Sequence, residues 1–237
     1  NRIISGRFLS QETYLGGALA ILRHVRQFTP NVRFVSLLGN EPWVDELLAG
    51  ALTKSQDATI RDDAFTTIVK KRYVEPLLEG NEISKLFSVN FINEDPPSDE
   101  VQERILQNLR REMKNCDAVL LADFGHGLMQ EKIRNLVQEE APFLVLNCQT
   151  NSNNHGFNII TRQYRRADAF SLDNQEIMLS CGRRNFDPEQ ELSAIAKSFG
   201  SEFAWFTRGS VMTHGFSKNT APVRIPPLVT DVTDTVG

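Results

Sequence analysis

The second half of the chain constrains the fold most, because short apolar runs alternate with helical segments from residue 98 onward. Continuous apolar strands separated by helices indicate a parallel sheet whose faces are covered by the connecting helices. The pattern predicts helices over residues 99–113, 130–139, 174–179 and 188–199, and strands over 118–122, 143–146, 169–172 and 203–206. We therefore expect an α/β fold with a central, mostly parallel sheet.

The remaining segments extend this fold at both sides. Apolar spacing predicts a helix over 15–28, a strand over 32–38 and a helix over 43–52. Enrichment in β-branched and aromatic residues over 66–74 and 86–92 predicts a small β-rich segment within about 57–93. Two last strands, 211–216 and 223–225, are expected to be antiparallel. The double proline in 94–99 makes that segment the best candidate hinge.

Composition limits the partners of the protein. The 237 residues fit one large domain, and 26 basic against 30 acidic residues give a net charge of −4, which disfavours a nucleic-acid reader. Three cysteines without paired spacing are typical of a protein of the reducing cytoplasm. No apolar run approaches the ~20 residues of a membrane span. We expect a cytoplasmic domain that binds neither nucleic acid nor membrane.

Candidate site residues follow the strands, because ligands of parallel α/β sheets bind beyond the carboxyl ends of the strands. Asp123 lies in such a loop, before Gly125 and Gly127, and is either a polar strand end or a ligand contact. Asn147 begins an amide-rich loop that fits turn geometry or contacts with hydroxyls and a purine edge equally well. Thr207 and Gly209 follow the fourth strand. Neither a Rossmann glycine fingerprint nor a Walker A loop is present, so a nucleotide would be held by another architecture.

Asp173 and Glu176 open a predicted helix and allow two interpretations. An aspartate followed three residues later by a glutamate is a capping pair that satisfies free N–H groups at the helix start. Two carboxylates one turn apart can also order a magnesium ion and its waters beside a triphosphate. The sequence does not decide between them.

Two further pairs of residues each allow a structural interpretation and a functional one. Gly16 and Gly17 open the first helix, where they ease backbone packing or let a polyol approach main-chain N–H groups. Lys70 and Arg72 lie two residues apart in a β-rich segment and so share a face. That face is either a solvated one or one that meets a substrate phosphate.

The C-terminal residues 231–237 are similar to the first half of a phosphate-binding turn, in which backbone N–H groups face an anion. Asp234, Thr235 and Gly237 would form this partial anion hole. We expect the chain to be one domain over 1–237 that is incomplete at both ends, and to lack the residues that would complete the turn; the resemblance described next implies that the catalytic aspartate is among them.

Taken in order, these motifs resemble the ribokinase-like carbohydrate kinases (the PfkB family), in particular the sugar-kinase domain of bifunctional heptose-phosphate kinase/nucleotidyltransferase enzymes. The resemblance runs from about Tyr14 to Gly237. It implies a three-layer sandwich with a small β-rich lid, and transfer of a phosphoryl group from ATP to a hydroxyl of a sugar or sugar phosphate with Mg²⁺. It also implies a homodimer and a covalently linked nucleotidyltransferase domain.

The resemblance assigns roles to the same residues. Gly16, Gly17 and Asp123 would contact the sugar, with Lys70 and Arg72 near a lid or a sugar phosphate. Asn147, Thr207 and Gly209 would border the nucleotide, and Asp173 and Glu176 would organise the metal. Asp173 replaces the usual asparagine and His126 a common lysine, so a catalytically silent kinase-like module, used for dimerisation or metabolite sensing, is the alternative.

Overall fold

The computed structural model of the protein describes residues 5–76, 83–151, 154 and 156–227. Its helices are α1 Ala18–Val25, α2 Pro42–Ala51, α3 Asp99–Met113, α4 Glu131–Glu140, α5 Ile160–Gln163, α6 Asn174–Cys181 and α7 Pro188–Phe199. Its strands are β1 Leu37–Leu38, β2 Ile60–Arg61, β3 Val69–Pro76, β4 Ile83–Phe91, β5 Val119–Asp123, β6 Leu144–Cys148, β7 Ala169–Asp173, β8 Phe203–Thr207, β9 Thr213–Ser217 and β10 Thr220–Ile225.

A six-stranded sheet in the order β10-β9-β8-β7-β6-β5 forms the centre of the fold. Strands β5 to β8 are parallel to one another, and β9 and β10 continue the sheet in antiparallel fashion. The predicted mostly parallel α/β sheet is therefore confirmed, as are the antiparallel last strands. The carboxyl ends of β5, β6, β7 and β8 lie side by side, so the loops that follow them share one edge.

One face of this sheet carries the main core. Leu146 and Phe170 are register partners, as are Leu172 and Phe206, and all four are at most 1% exposed. Buried residues of α3, α4, α6 and α7 pack against this face in the same cluster, including Ile105, Ile133, Ile177 and Ala196. Burial of such a continuous apolar layer is the main contribution to the stability of the fold.

The opposite face of the sheet is open in the described part of the chain. Phe203 and Trp205 stack at 6.2 Å between ring centroids, and both are 38% exposed. Val223 and Ile225 lie on the same side, at 52% and 43% exposure. Apolar side chains on a sheet face are ordinarily covered by another layer.

Local signals set the helix ends where they are strong. The Ser98 hydroxyl accepts the Val101 N–H at 3.3 Å and begins α3. The Asp187 carboxylate accepts the N–H groups of Glu189 and Gln190 and begins α7, and Gly200 ends the helix with φ 71°. Both helices have the predicted bounds. The predicted hinge segment thus ends in a helix cap.

In the first half of the chain, one helix and one strand are shorter than predicted. The strand expected over residues 32–38 is wrong in length, because only Leu37–Leu38 pair as a strand, parallel with Ile60–Arg61. Phe34 makes one isolated bridge to Asp57. The helix expected over 15–28 is shorter, Ala18–Val25, since Gly17 takes a positive φ of 55° that L-residues with side chains rarely adopt.

A two-stranded antiparallel hairpin, β3 with β4, forms the β-rich segment. Lys70 pairs with Asn90 and Arg72 with Ser88, so these four residues share one face, as predicted for the two basic side chains. The other face is apolar, and Tyr73 stacks on Phe87 at 4.4 Å. We call this hairpin the lid. The face with Lys70 and Arg72 is its polar face, and the face with Tyr73 and Phe87 is its apolar face.

Within the described residues, no helix has both the length and the apolar character needed to cross a membrane.

Candidate active site

The edge formed by the carboxyl ends of β5 to β8 carries the candidate site. Asp123 ends β5 and is the register partner of Cys148, which ends β6. Asp173 ends β7 and is the register partner of Thr207, which ends β8. Four of the loops selected from the sequence are thereby brought to one edge.

The Asp123 carboxylate lies inside the protein, at 3% exposure for the residue. Its Oδ1 accepts the Gly125 N–H at 2.8 Å, and its Oδ2 accepts the Tyr164 hydroxyl at 2.8 Å. Tyr164 is fully buried, and burial followed by the Asp123 charge raises the pKa of its hydroxyl, which stays a donor. The carboxylate is thus oriented by protein groups.

The amide-rich loop after β6 binds the turn at residues 123–127. The Asn151 side chain donates to the Phe124 carbonyl at 2.7 Å, and the Gln149 N–H donates to the Asp123 carbonyl at 2.7 Å. The Asn158 side chain donates to the same Asp123 carbonyl at 3.4 Å. The amides therefore join two strand-end loops into one hydrogen-bonded unit.

Asn147 lies within the sheet, one residue before the end of β6. Its side-chain amide donates to the backbone carbonyl and the hydroxyl of Ser171, each at 3.3 Å. The Thr207 hydroxyl donates to the Leu172 carbonyl at 3.5 Å, and Gly209 takes φ 47° in the turn that follows. The side chains of Asn147 and Thr207 therefore both have hydrogen-bond partners within the sheet.

Asp173 and Glu176 form a complete capping box at the start of α6. Asp173 Oδ1 accepts the Glu176 N–H at 2.7 Å, and Glu176 Oε2 accepts the Asp173 N–H at 2.8 Å. Glu176 Oε1 also accepts the Thr150 N–H at 3.3 Å. The capping interpretation is present in the structure, and Glu176 additionally links α6 to the amide-rich loop.

The two carboxylates of the box differ in environment. Asp173 is exposed, whereas Glu176 is 5% exposed, and burial raises the pKa of Glu176 to about 7. Two backbone N–H groups favour the ionised form but do not cancel the cost of burial. In the described part of the chain no group of three His, Cys, Asp or Glu side chains is placed to hold a metal ion.

The lid and the turn at 123–127 interact through basic side chains. Burial and then the charge of Arg72 lower the pKa of Lys70. Burial and then the charge of Lys70 lower the pKa of His126. The polar face of the lid therefore lies close enough to the turn for the Lys70 and His126 charges to interact.

The start of α1 adjoins the same turn. A side chain placed at Gly17 would contact the Phe124 ring at 3.6 Å, while no described atom lies within 4 Å of a side chain at Gly16. Gly17 is the N-cap of α1 and has no side chain to accept the first N–H groups of the helix. The start of α1 therefore adjoins the turn, and a contact of its main-chain donors with a polyol stays a prediction.

Three predicted site residues are not covered by the described part of the chain, and one residue of this edge was not predicted. Asp234, Thr235 and Gly237 fall outside the described residues. Tyr164 is hard to find from the sequence because it lies in the basic run 162–166, a pattern typical of a solvated segment. In the structure Tyr164 is buried, and the Arg166 guanidinium contacts Asp168 at 2.7 Å and two backbone carbonyls.

Comparison of the sequence with curated proteins gives distant relatives of one kind, while no protein-family model matches. The chain is 22% identical over 228 residues to the bifunctional protein HldE of Wolinella succinogenes, covering 94% of this chain and 46% of the relative. It is 25% identical over 201 residues to HldE of Nitrobacter winogradskyi, covering 78% and 37%. The chain therefore spans less than half the length of the curated relatives it matches.

Solved structures match along almost the whole chain. Phosphofructokinase-2 from Escherichia coli in complex with potassium has a TM-score of 0.69 at 11% identity, covering all of this chain and 75% of its own. The same enzyme in complex with fructose-6-phosphate has a TM-score of 0.65 at 11% identity, covering 90% and 69%. A pyrophosphate-dependent kinase in the ribokinase family has a TM-score of 0.58 at 14% identity, covering 92% and 72%.

The fold is that of the ribokinase-like kinases, an α/β architecture with a central, mostly parallel sheet. In sequence the chain is similar to the bifunctional HldE proteins. The resemblance stated from the sequence motifs is therefore confirmed.

Proposed function

We propose that the chain is a carbohydrate kinase domain, which transfers a phosphoryl group from ATP to a hydroxyl of a sugar or sugar phosphate. The observation that supports this most is the convergence at one sheet edge. The ends of β5 to β8 bring together the turn at 123–127, the amide-rich loop, the start of α6 and the turn after β8, and Lys70 of the lid approaches the first of these. A crevice at this edge is where ligands of open α/β sheets bind.

The donor side of the proposed site comprises Asp173, Thr207 and Gly209, with Asn147 beneath them. Asp173 is exposed and fits a magnesium ion through its oxygen ligands, directly or through water. Glu176 accepts the Asp173 N–H and so fixes the backbone at the start of α6. Magnesium, when bound with ATP, would neutralise charge on the transferring phosphoryl group.

The acceptor side comprises the start of α1 and the polar face of the lid. Gly16 and Gly17 would offer main-chain donors to sugar hydroxyls. Lys70, Arg72 and His126 would surround a phosphate, which favours a phosphorylated sugar as acceptor. The structural match that was solved with fructose-6-phosphate supports this substrate class.

Asp234, Thr235 and Gly237 complete the proposal as the start of an anion hole for the transferred group. Their assignment rests on the resemblance of residues 231–237 to a phosphate-binding turn.

A second function, a catalytically silent kinase-like module that dimerises or senses a metabolite, is favoured by one observation. Both oxygens of Glu176 accept backbone N–H groups, and Asp173 shares the capping box. A carboxylate engaged in this way has less capacity to bind a metal ion. In this version of the proposal the site binds a phosphorylated sugar and transfers nothing.

The test is an assay of ATP consumption and sugar-phosphate product by the full-length protein that contains these residues, with Mg²⁺ and a panel of sugars and sugar phosphates. Lys70→Ala is compared with Lys71→Ala, which alters the neighbouring residue on the apolar face of the lid. Kinase function predicts Mg²⁺-dependent product, and a KM for the sugar phosphate that rises about tenfold in Lys70→Ala alone, as one charge-assisted contact is lost.

The outcomes separate the two functions. Saturable binding of a sugar phosphate by calorimetry, lost in Lys70→Ala and without turnover, would support the silent module. Absence of both binding and turnover across the panel would contradict both.

The proposed partners follow from the lid and from the relatives. The apolar face of the lid exposes Tyr73, Phe87, Val89 and Phe91, each between 38% and 48%, and we assign it to a second copy of the chain. The relatives are named bifunctional proteins, which supports the linked nucleotidyltransferase domain that the sequence resemblance implies; we propose that this domain acts in sugar-nucleotide synthesis. The three free cysteines fit a cytoplasmic location.

A further inference from the structure

The Asp123 carboxylate at the sheet edge is buried and hydrogen-bonded to other protein groups. A carboxylate that only contacted substrate would not need these bonds. Asp123 is 3% exposed and Tyr164 has no exposed surface. The Tyr164 hydroxyl and the Gly125 N–H, both neutral donors, each bind one oxygen of Asp123 at 2.8 Å. Removing a carboxylate from water is costly, so such an arrangement persists only where these hydrogen bonds are made.

Tyr164 reaches Asp123 across a long stretch of chain. It follows α5, which comes after the amide-rich loop, whereas Asp123 ends β5. The thiol of Cys148 lies 4.0 Å from the same carboxylate oxygen and also faces the Asn158 carbonyl. The hydrogen bond from the Tyr164 hydroxyl thus links the end of α5 to Asp123, the first residue of the turn at 123–127.

The backbone of that turn depends on the orientation of the carboxylate. Gly125 takes φ 67°, and a side chain there would lie 2.5 Å from the Asn154 amide and 3.0 Å from the Asn158 amide. The turn is therefore packed tightly against the amide-rich loop, and the hydrogen bond from the Gly125 N–H to Asp123 holds it in this conformation. Phe124, in the same turn, lies beside Gly17, and the charge of Lys70 lowers the pKa of His126.

We propose that Tyr164 is a positioning residue for the turn at 123–127, acting through the buried Asp123 carboxylate. Asp123 then works inside the protein, where it sets the directions of Phe124 and His126, and does not contact the sugar. The functional consequence rests on the proposed kinase function, but the positioning itself does not.

Hydrogen–deuterium exchange of the whole chain tests the positioning without any ligand. Tyr164→Phe keeps the ring and removes the hydroxyl, and Asp123→Asn keeps one acceptor oxygen as a second, milder variant. We expect exchange in the peptide over 123–127 to be roughly tenfold faster in each variant, with β6 and β7 unchanged. Tyr14→Phe is the matched control, because it removes the hydroxyl of an exposed tyrosine.

The double variant gives the decisive comparison. If both residues act through one hydrogen bond, Tyr164→Phe with Asp123→Asn will speed exchange no more than the stronger single variant. Additive effects, an unchanged turn in Tyr164→Phe, or a uniform rise over the whole sheet would each overturn the proposal.

A kinetic comparison extends the test to the site. With ATP, Mg²⁺ and the sugar phosphate that gives most product, Tyr164→Phe and Asp123→Asn should raise the KM of the sugar phosphate alike and leave the KM of ATP unchanged. A rise in Asp123→Asn alone would mean a direct substrate contact and overturn the proposal. Absence of turnover in the wild type, with the exchange result intact, would count against the kinase function only.

Discussion

Glu176 gives the sharpest stability prediction, because its carboxyl is buried in the capping box at the start of α6. Its pKa rises from 4.5 to about 7 on burial. A carboxyl that holds its proton more tightly in the folded protein than in the unfolded chain makes folding less favourable as the pH rises. The stabilising contribution is complete below pH 4.5 and is lost as the pH passes about 7.

The magnitude follows from the width of that window. Each pH unit between the two pKa values lowers the free energy of unfolding by about 1.4 kcal/mol. The whole window therefore removes roughly 3 kcal/mol, a large fraction of the stability of an ordinary domain. Glutamine at position 176 cannot ionise, so it removes this dependence.

Urea unfolding of wild type and Glu176→Gln at pH 5, 6, 7 and 8 measures the difference. We expect the free energy of unfolding of the variant, relative to wild type, to rise by roughly 3 kcal/mol from pH 5 to pH 8, a shift of about 1 M in the relative midpoint. Glu131→Gln, at the exposed start of α4, serves as the control and should run parallel to wild type. Parallel curves for Glu176→Gln would refute the reasoning.

Two further predictions concern other parts of the fold. Gly125→Ala should lower the free energy of unfolding by roughly 1–3 kcal/mol, since φ 67° is strained for alanine. Gly50→Ala, in a helix with open space around it, should raise it by roughly 0.5–1 kcal/mol, and urea midpoints compare the two. Thiol labelling of the folded protein should modify Cys116 and Cys181 but not Cys148, because Cys148 is buried and burial raises the pKa of its thiol. Cys148 should react only after urea unfolds the chain. Labelling of Cys148 in the folded protein at the same rate as Cys116 and Cys181 would contradict its burial.

The sequence predicted the second half of the fold well because its signals are local. Ser98 caps α3, and Asp187 with Pro188 begins α7, so both helices have the predicted bounds. The strand expected over 32–38 failed in length because burial there depends on pairing with Ile60–Arg61, a contact distant in sequence. Apolar character alone does not fix how far such pairing extends.

The candidate site was predictable in position but not in orientation. The rule for parallel sheets placed Asp123, Asp173 and Thr207 at one edge, as observed. Whether a carboxylate points outward or inward depends on partners supplied by other loops, such as the Thr150 N–H for Glu176. Tyr164 carried one signal, a single aromatic side chain within a basic run, and its hydroxyl partner is 41 residues away in sequence.

The central claim is that ATP with Mg²⁺ binds at the edge formed by the ends of β5 to β8. Hydrogen–deuterium exchange with and without Mg²⁺ and a non-hydrolysable ATP analogue tests it most directly. The account predicts slower exchange in the peptides over 149–151, 173–176 and 207–210, with no change in the peptides of α2. Unchanged exchange at all three loops, or protection confined to another surface, would contradict it.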